Sequence, residues 1–213
     1  MNIETRTLIP GLTVDSDMYE IAAEAMWELT SENAPCAINS GAPKVNFNWL
    51  VFTNPQRWRL VPDPDGSAYK AELVLLRGSE HTVKINLWFA PDLRRGDMPR
   101  PHNHPWEFTS YILMGGYRES RYTASRGGVS EEVREHRATG RRGYDRAMNH
   151  LGLHEYHEVT EILDPGRTLT VMVCGDGEPG DWDYLDVESG RYVPNERDAG
   201  FADRLRAINP QMR

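Results

Sequence analysis

The chain has 213 residues, 26% charged and 39% hydrophobic, which is the composition of a globular domain with extensions. Its formal net charge of −8 argues against sequence-independent binding to nucleic acid or to anionic membranes. No apolar run approaches the roughly 20 residues of a membrane span. The N-terminus lacks the basic and apolar segments of a signal peptide, so we expect a cytoplasmic location. The two cysteines, Cys36 and Cys174, are too few for a disulfide framework.

The first 55 residues predict a helix and a connector. After an extended start with a turn at Pro10–Gly11, Asp15 or Ser16 can cap a helix that runs to about Ser31. Its apolar residues recur at intervals of three and four, and are Met18, Ile21, Ala22, Ala25, Met26 and Leu29. This face should pack on the outside of a sheet or on a second subunit. Residues 32–55 read as an irregular connector, in which VNFNWLVF is a candidate short strand.

From Trp58 onward the pattern changes to short β-type runs separated by Gly, Pro and Asp turns. Such runs indicate an all-β sandwich or barrel, the class that includes double-sheet jelly rolls. Near the end, Phe201, Leu205 and Ile208 lie at helical spacing, with Asn195 or Asp198 near the expected cap. The predicted organisation is an extension over residues 1–55, a β domain over 56–194 and a C-terminal helix over 195–213.

The stretch PRPHNHPWEFTSYILMGGYRE, residues 99–119, carries the strongest functional signal. Alternate side chains of a strand share a face, so His102 and His104 should project into the same space. Pro105 cannot donate to a sheet ladder, so the strand is expected to bend there. Such a bend would swing Glu107 toward the two histidines, whereas in a straight strand Glu107 would point to the opposite face. Two imidazoles and one carboxylate form a ligand set for a mononuclear metal site with open positions.

This stretch resembles the cupin superfamily. The first motif of that family reads H-x-H, three or four residues, E, six residues and G. Here His102, His104 and Glu107 precede Gly115, with the glutamate about one residue early. The resemblance covers roughly Trp58 to Cys174 and implies a jelly-roll fold, a bound metal and one further histidine ligand from a neighbouring strand. The N- and C-terminal helices predicted from residue spacing would flank this jelly roll.

The segment HLGLHEYHEV offers three candidates for that further ligand. On a helix, His150, His154 and His157 would share a face and could form a separate zinc site. On a strand, His157 shares a face with Val159, and the resemblance implies His157 as the ligand, with His154 as the alternative. His81, His136 and His150 are expected to be structural or exposed.

Several other residues are candidates for the site. Glu107 is the expected fourth ligand, whereas Glu119 is the alternative acid, which would orient a ligand ring. Glu107 and Tyr111 are the candidate catalytic residues. An aromatic wall could come from Trp88, Trp106, Phe108 and Tyr111, and Arg59 could bind a substrate carboxylate through its planar guanidinium.

The resemblance implies, first, a non-haem iron(II) dioxygenase that uses O2. We expect direct oxygenation of a small metal-chelating aromatic or heteroaromatic molecule in specialised, natural-product metabolism. The alternatives are a non-redox isomerase, epimerase or lyase whose metal acts as a Lewis acid, and a non-catalytic binding protein. Manganese, nickel and zinc remain alternatives to iron. The resemblance also implies a homodimer, with a small molecule as the other partner.

Overall fold

The computed structural model describes residues 3–30, 45–77, 82–93, 99–140, 146–177, 182–195 and 198–212. The helices there are α1 (Ser16–Thr30), α2 (Trp49–Phe52) and α3 (Phe201–Ile208). The strands are β1 (Thr5–Ile9), β2 (Leu12–Asp15), β3 (Trp58–Pro62), β4 (Ala68–Arg77), β5 (Thr82–Trp88), β6 (Trp106–Met114), β7 (Gly116–Ser125), β8 (Gly128–Arg137), β9 (Met148–Leu151), β10 (Tyr156–Ile162), β11 (Thr168–Gly177), β12 (Asp183–Asp186) and β13 (Arg191–Pro194). Within these ranges, no helix has the length and apolar character needed to cross a membrane.

Two antiparallel sheets dominate the fold. The larger sheet has the order β3-β4-β5-β11-β6-β9, and the smaller has the order β10-β7-β8. The segment around His102 extends the smaller sheet, because His102 bridges His157 of β10 on one side and Tyr184 of β12 on the other. Strand β11 lies between β5 and β6, which precede it by many residues, so the chain wraps between the sheets as in a jelly roll. The predicted all-β class with flanking helices is confirmed.

The chain passes from the larger to the smaller sheet at two glycines. Gly115 has φ +61°, and a Cβ there would lie 2.5 Å from Thr168 Oγ1. A Cβ on Gly116 would lie 2.3 Å from the carbonyl oxygen of His136. Side chains at these positions would therefore clash with β8 and with the start of β11, so the close approach of the two sheets requires glycine.

The space between the sheets is apolar at one end. Val61, Tyr69, Trp88 and Ile112 of the larger sheet pack against residues of the smaller one, namely Tyr117, Val159 and Ile162. These side chains alternate with others that point to the outer face of the larger sheet, as the two-residue period of a strand requires. The cluster closes one end of the space between the sheets.

The outer face of the larger sheet is covered by α1. The helix buries Met18, Ala22, Ala25, Met26 and Leu29 against strand residues that include Leu73, Ile85, Leu87 and Val171. Asp15 Oδ1 accepts a hydrogen bond from the Met18 N–H at 2.9 Å, so the predicted cap forms. Of the two expected partners for this helix, the structure shows the sheet. The expected homodimer stays a prediction.

Some sequence expectations need correction or lie outside the described residues. VNFNWLVF ends in the short helix α2, not a strand, because Asn48 Oδ1 caps it by accepting from the Val51 N–H at 3.0 Å. Strands β9, β12 and β13 were not predicted. The C-terminal helix begins at Phe201, and Asp198 accepts a hydrogen bond from Gly200 just before it. Cys36 and most of the predicted connector lie outside the described residues.

Asn209 ties the C-terminal segment to β3. Its side chain accepts from the Leu60 N–H at 2.8 Å and donates to the Leu60 carbonyl at 2.9 Å. Asn209→Ala should lower the free energy of unfolding by about 1–3 kcal/mol, because both buried Leu60 groups lose their partner. Chemical denaturation measures this difference. The exposed Asn46→Ala is the control and should change stability by less than about 0.5 kcal/mol; equal effects of the two variants would contradict the assigned role of Asn209.

Candidate metal centre

The histidine group is built on a backbone pair. The His102 N–H donates to the His157 carbonyl, and the His157 N–H donates to the His102 carbonyl, both at 3.0 Å. Residues paired in this way across antiparallel strands project their side chains to the same face. His104 follows two residues after His102 and shares that face. The three histidines therefore enter the space between the sheets together.

The three rings form a nearly equilateral triangle. Ring centroids are 5.0 Å apart for His102 and His104, and 5.1 Å apart for each of these with His157. One nitrogen from each ring can be chosen so that all three lie within 4.8 Å of one another. His104 Nε2 and His157 Nε2 are 3.0 Å apart. Adjacent nitrogens on an octahedral metal, each bound at about 2.1 Å, would also lie about 3.0 Å apart. The group fits a single metal ion.

Neighbouring aromatic residues fix the orientation of two rings. His104 meets Phe108 edge to face, with centroids 5.0 Å apart, and His102 meets Trp182 in a similar way at 6.0 Å. His102 is only 1% exposed and His157 only 5%. Buried rings in fixed positions hold their ligand atoms in place before any metal binds, which is what a preorganised site requires.

A buried carboxylate lies behind His157. Glu119 is fully buried, and its Oε1 is 3.9 Å from His157 Nδ1, while its Oε2 is 3.5 Å from His136 Nε2. Arg121 and Asn149 also donate hydrogen bonds to this carboxylate. Burial alone raises the pKa of Glu119, but the nearby imidazoles of His136 and His157 and the Arg121 charge outweigh burial and lower it. Glu119 is thus ionised and lies behind the His157 ring. This is the position expected for its alternative role, in which it orients a ligand ring.

The structure does not bring Glu107 or Tyr111 to the histidines. Strand β6 begins at Trp106, directly after Pro105, so no bend remains to turn Glu107 inward. Glu107 is exposed, and Tyr111 packs in the cluster beneath α1. Both share the outer face of the sheet, whereas Phe108 on the inner face contacts His104. The expected fourth ligand and the expected catalytic tyrosine are therefore corrected: neither lies in the group.

The remaining histidines lie elsewhere. His154, the alternative ligand, is exposed and lines a different cavity with Arg121 and Tyr192. His150 is exposed and forms a hydrogen bond of 3.2 Å with Thr109 Oγ1. His136 contacts Glu119. His81 lies outside the described residues. Since His150 and His154 are separated from His157, the alternative of a helical zinc site is excluded.

A cavity of about 330 Å³ opens beside the histidines. Both sheets and α3 contribute to its lining, which consists of Arg59, Val61, Tyr69, Lys70, Glu72, Lys84, His102, Asn103, His104, Pro105, Trp106, Met172, Trp182 and Phe201. The expected contacts Arg59 and Trp106 are among these residues. Trp88 lies deeper, where its Nε1 donates to Thr170 Oγ1 at 3.2 Å, and it belongs to the apolar cluster that closes the interior.

A charged cluster on the larger sheet was missed by sequence reasoning. Glu72 contacts Arg59 at 2.5 Å, Lys84 at 2.9 Å and Lys70 at 3.3 Å. Burial raises the pKa of Glu72, but the charges of Lys84, Lys70 and Arg59 outweigh burial and hold it well below its usual range. The signal was present in the sequence as polar residues two apart within β-type runs, Lys70 with Glu72 and Lys84 with Asn86.

Glu119→Gln should weaken metal binding about 10- to 100-fold, because an amide holds the His157 ring less firmly and polarises it less than a carboxylate does. Competition with a chelator of known affinity measures the change, and thermal unfolding checks the fold. Glu161→Gln is the matched control, since Glu161 lies on β10, the strand that pairs with the strand of Glu119, and forms an exposed ion pair with Arg118. Unchanged affinity in a folded Glu119→Gln variant would contradict this role.

Comparison with known proteins gives structural neighbours only. No family model matches the chain, and no curated protein matches it. KdgF from Halomonas sp. shows 14% identity and a TM-score of 0.35 over 53% of this chain and 84% of its own. Oxalate decarboxylase from Lactobacillus farciminis shows 12% identity and a TM-score of 0.35 over 51% of this chain and 28% of its own. The Fe(II) form of HppE shows 13% identity and a TM-score of 0.35 over 56% and 57%.

The overall likeness of these three structures to this chain is loose. The strand order and the histidine placement are properties of this chain itself. Two wrapped antiparallel sheets carry an H-x-H segment, and a third histidine on the adjacent strand meets it across a backbone pair. The chain has a jelly roll of two wrapped antiparallel sheets with a three-histidine site, the fold and the histidine arrangement that the sequence resemblance implied.

Proposed function

We propose that this protein is a metal-dependent cupin oxygenase that binds iron(II) through His102, His104 and His157. The convergence of the three imidazoles in a buried position is the observation that carries the proposal. Iron held by three protein ligands would supply open coordination positions for a chelating substrate and for O2. The expected setting in natural-product metabolism stays a prediction.

The residues of the chain prepare the ligand atoms. An imidazole binds a metal through an unprotonated nitrogen. The Glu119 carboxylate, close to His157 Nδ1, favours the tautomer that carries its proton there and leaves Nε2 unprotonated. His104 Nε2 faces the same point from the other side. The site thus presents imidazole nitrogens that can bind a metal on one side of the cavity.

The cavity suits a small, flat substrate. Its volume of about 330 Å³ lies at the low end of ordinary small-molecule sites. Trp106, Met172 and Trp182 line it, and Phe108 packs against the His104 ring. These groups can hold an aromatic ring against the lining side chains next to the histidines.

A non-redox reaction is the second candidate function. The histidine group contains no carboxylate among the residues that the structure describes. Three histidines also form one of the donor sets of catalytic zinc, in which the metal acts as a Lewis acid. Because Glu107 lies on the opposite face of its strand and leaves three histidines as the ligands, the alternative function is that of an isomerase, epimerase or lyase.

Removing a ligand tests the metal site. His102→Ala and His104→Ala should each lose most of the bound metal, measured as metal per chain by elemental analysis after purification. His150→Ala, at an exposed histidine outside the group, should keep the parent content. Binding should also weaken in acid, because protonated imidazole cannot bind metal. Full occupancy in a folded His102→Ala or His104→Ala variant would refute the assignment.

Oxygen consumption tests the reaction class. The protein reconstituted with iron(II) without air should take up O2 only when a suitable chelator, such as a substituted catechol or hydroxypyridine, is added. The zinc-loaded protein should not do so, because zinc has no redox chemistry. Product formation by the zinc form at the same rate, or turnover without O2, would replace the oxygenase proposal with the Lewis-acid candidate.

A further inference from the structure

Among the residues that the structure describes, the charged cluster in the cavity is not electrically balanced. Arg59, Lys70 and Lys84 surround one carboxylate, that of Glu72, so the four groups sum to a charge of +2. The side chains of Lys70, Lys84 and Glu72 are only 10%, 12% and 5% exposed. Charges removed from water need partners, and the single charge of Glu72 cannot balance both buried lysines.

The two lysines keep donors that Glu72 does not use. An ammonium group has three N–H donors. Lys84 Nζ contacts Glu72 Oε1 at 2.9 Å, and Lys70 Nζ contacts the same oxygen at 3.3 Å. Lys70 Nζ also lies over the rings of Trp88 and Tyr69, at 5.0 and 5.3 Å from their centroids. Both lysines line the same cavity as His102 and His104, so their other donors can turn toward a ligand there.

The choice of lysine is specific in this sequence. The chain contains 21 arginines and only three lysines, and two of those three line this cavity. An arginine here would present a rigid fork that matches the Glu72 carboxylate with two parallel hydrogen bonds. The ammonium is a compact charge on a flexible stem and is free to bind a second anion. The composition of the chain therefore does not account for lysine at both positions.

We propose that the ligand of this cavity is a small carboxylate, whose carboxylate group is bound by Lys70 and Lys84. The acid group then faces the larger sheet, and the rest of the molecule faces the histidines of the smaller sheet. The inference deepens the proposed function by naming the substrate class, and it relies on that function only in taking this cavity as the substrate site. Arg59, which is more exposed, contributes charge at the mouth.

The binding test uses matched probes on the metal-free full-length protein. Benzoate and benzamide have nearly the same shape and differ in charge, and quenching of tryptophan fluorescence reports their binding. Benzoate should bind at least about tenfold more tightly than benzamide, as a charge-assisted hydrogen bond provides. Its affinity should fall as salt is added. Equal affinity for the two probes would overturn the proposal.

Three variants in the cluster and one control outside it decide whether the cluster binds an anion or only stabilises the sheet. Lys84→Gln and Lys70→Gln should lose the preference for benzoate. Arg118→Gln is the control, because Arg118 forms an exposed ion pair on the smaller sheet, and this variant should keep the preference. Glu72→Gln raises the cluster charge from +2 to +3 and should tighten benzoate binding. A purely structural cluster predicts that Glu72→Gln weakens binding or leaves it unchanged, and either result in a folded variant would refute the proposal.

A second probe pair separates this inference from the oxygenase proposal. With the zinc-loaded protein, 3,4-dihydroxybenzoate and catechol offer the same chelating group, and only the first carries a carboxylate. The acid should bind at least about tenfold more tightly, and equal affinity would contradict the inference. Absence of O2 uptake by the iron protein would refute the oxygenase proposal and leave this difference in affinity intact.

Discussion

The candidate site depends on the pair of backbone hydrogen bonds between His102 and His157. This pair joins the H-x-H segment to β10, and the opposite edge of the segment pairs with β12 at Tyr184. The segment therefore becomes an inner strand of the smaller sheet, although it is too short to be a strand by itself. Both partners of the pair direct their side chains into the interior, and the two-residue period brings His104 to the same side. The ligand geometry is thus a consequence of strand pairing.

The larger sheet has two faces with opposite requirements. Its outer face is apolar because α1 covers it, and the N-terminal segment is therefore part of the folded domain. Its inner face changes along the strands from the apolar cluster around Trp88 and Ile112 to the charged cluster around Glu72. Buried charge of this kind lowers stability unless it is well paired. The chain keeps it beside the histidines, where a ligand can supply the missing negative charge.

The buried acids on the two sheets have different roles. Glu119 is surrounded by donors and contacts the back of His157, so its charge acts on the ligand ring. Glu72 is surrounded by cations and lines the cavity, so its negative charge limits how strongly the lysines can attract an anionic ligand. Both carboxylates are ionised for the same reason, because neighbouring donors and positive charges outweigh the cost of burial. The cavity therefore lies between the histidine nitrogens of the smaller sheet and the excess positive charge of the larger sheet.

The sequence by itself determined the features that depend on local periodicity. Alternating runs predicted the all-β class, and three- and four-residue spacing predicted α1 and the C-terminal helix. The H-x-H spacing placed His102 and His104 on one face, whereas the choice of His157 came from the family resemblance. The direction of the Glu107 side chain depended on whether the chain bends at Pro105 or starts a straight strand after it. The pairing of β6 with β9 and β11 fixes the straight strand. The charged cluster required knowing that β3, β4 and β5 are neighbours, because its four residues come from three strands. Contacts between residues distant in sequence are set by sheet order, which only the tertiary structure fixes.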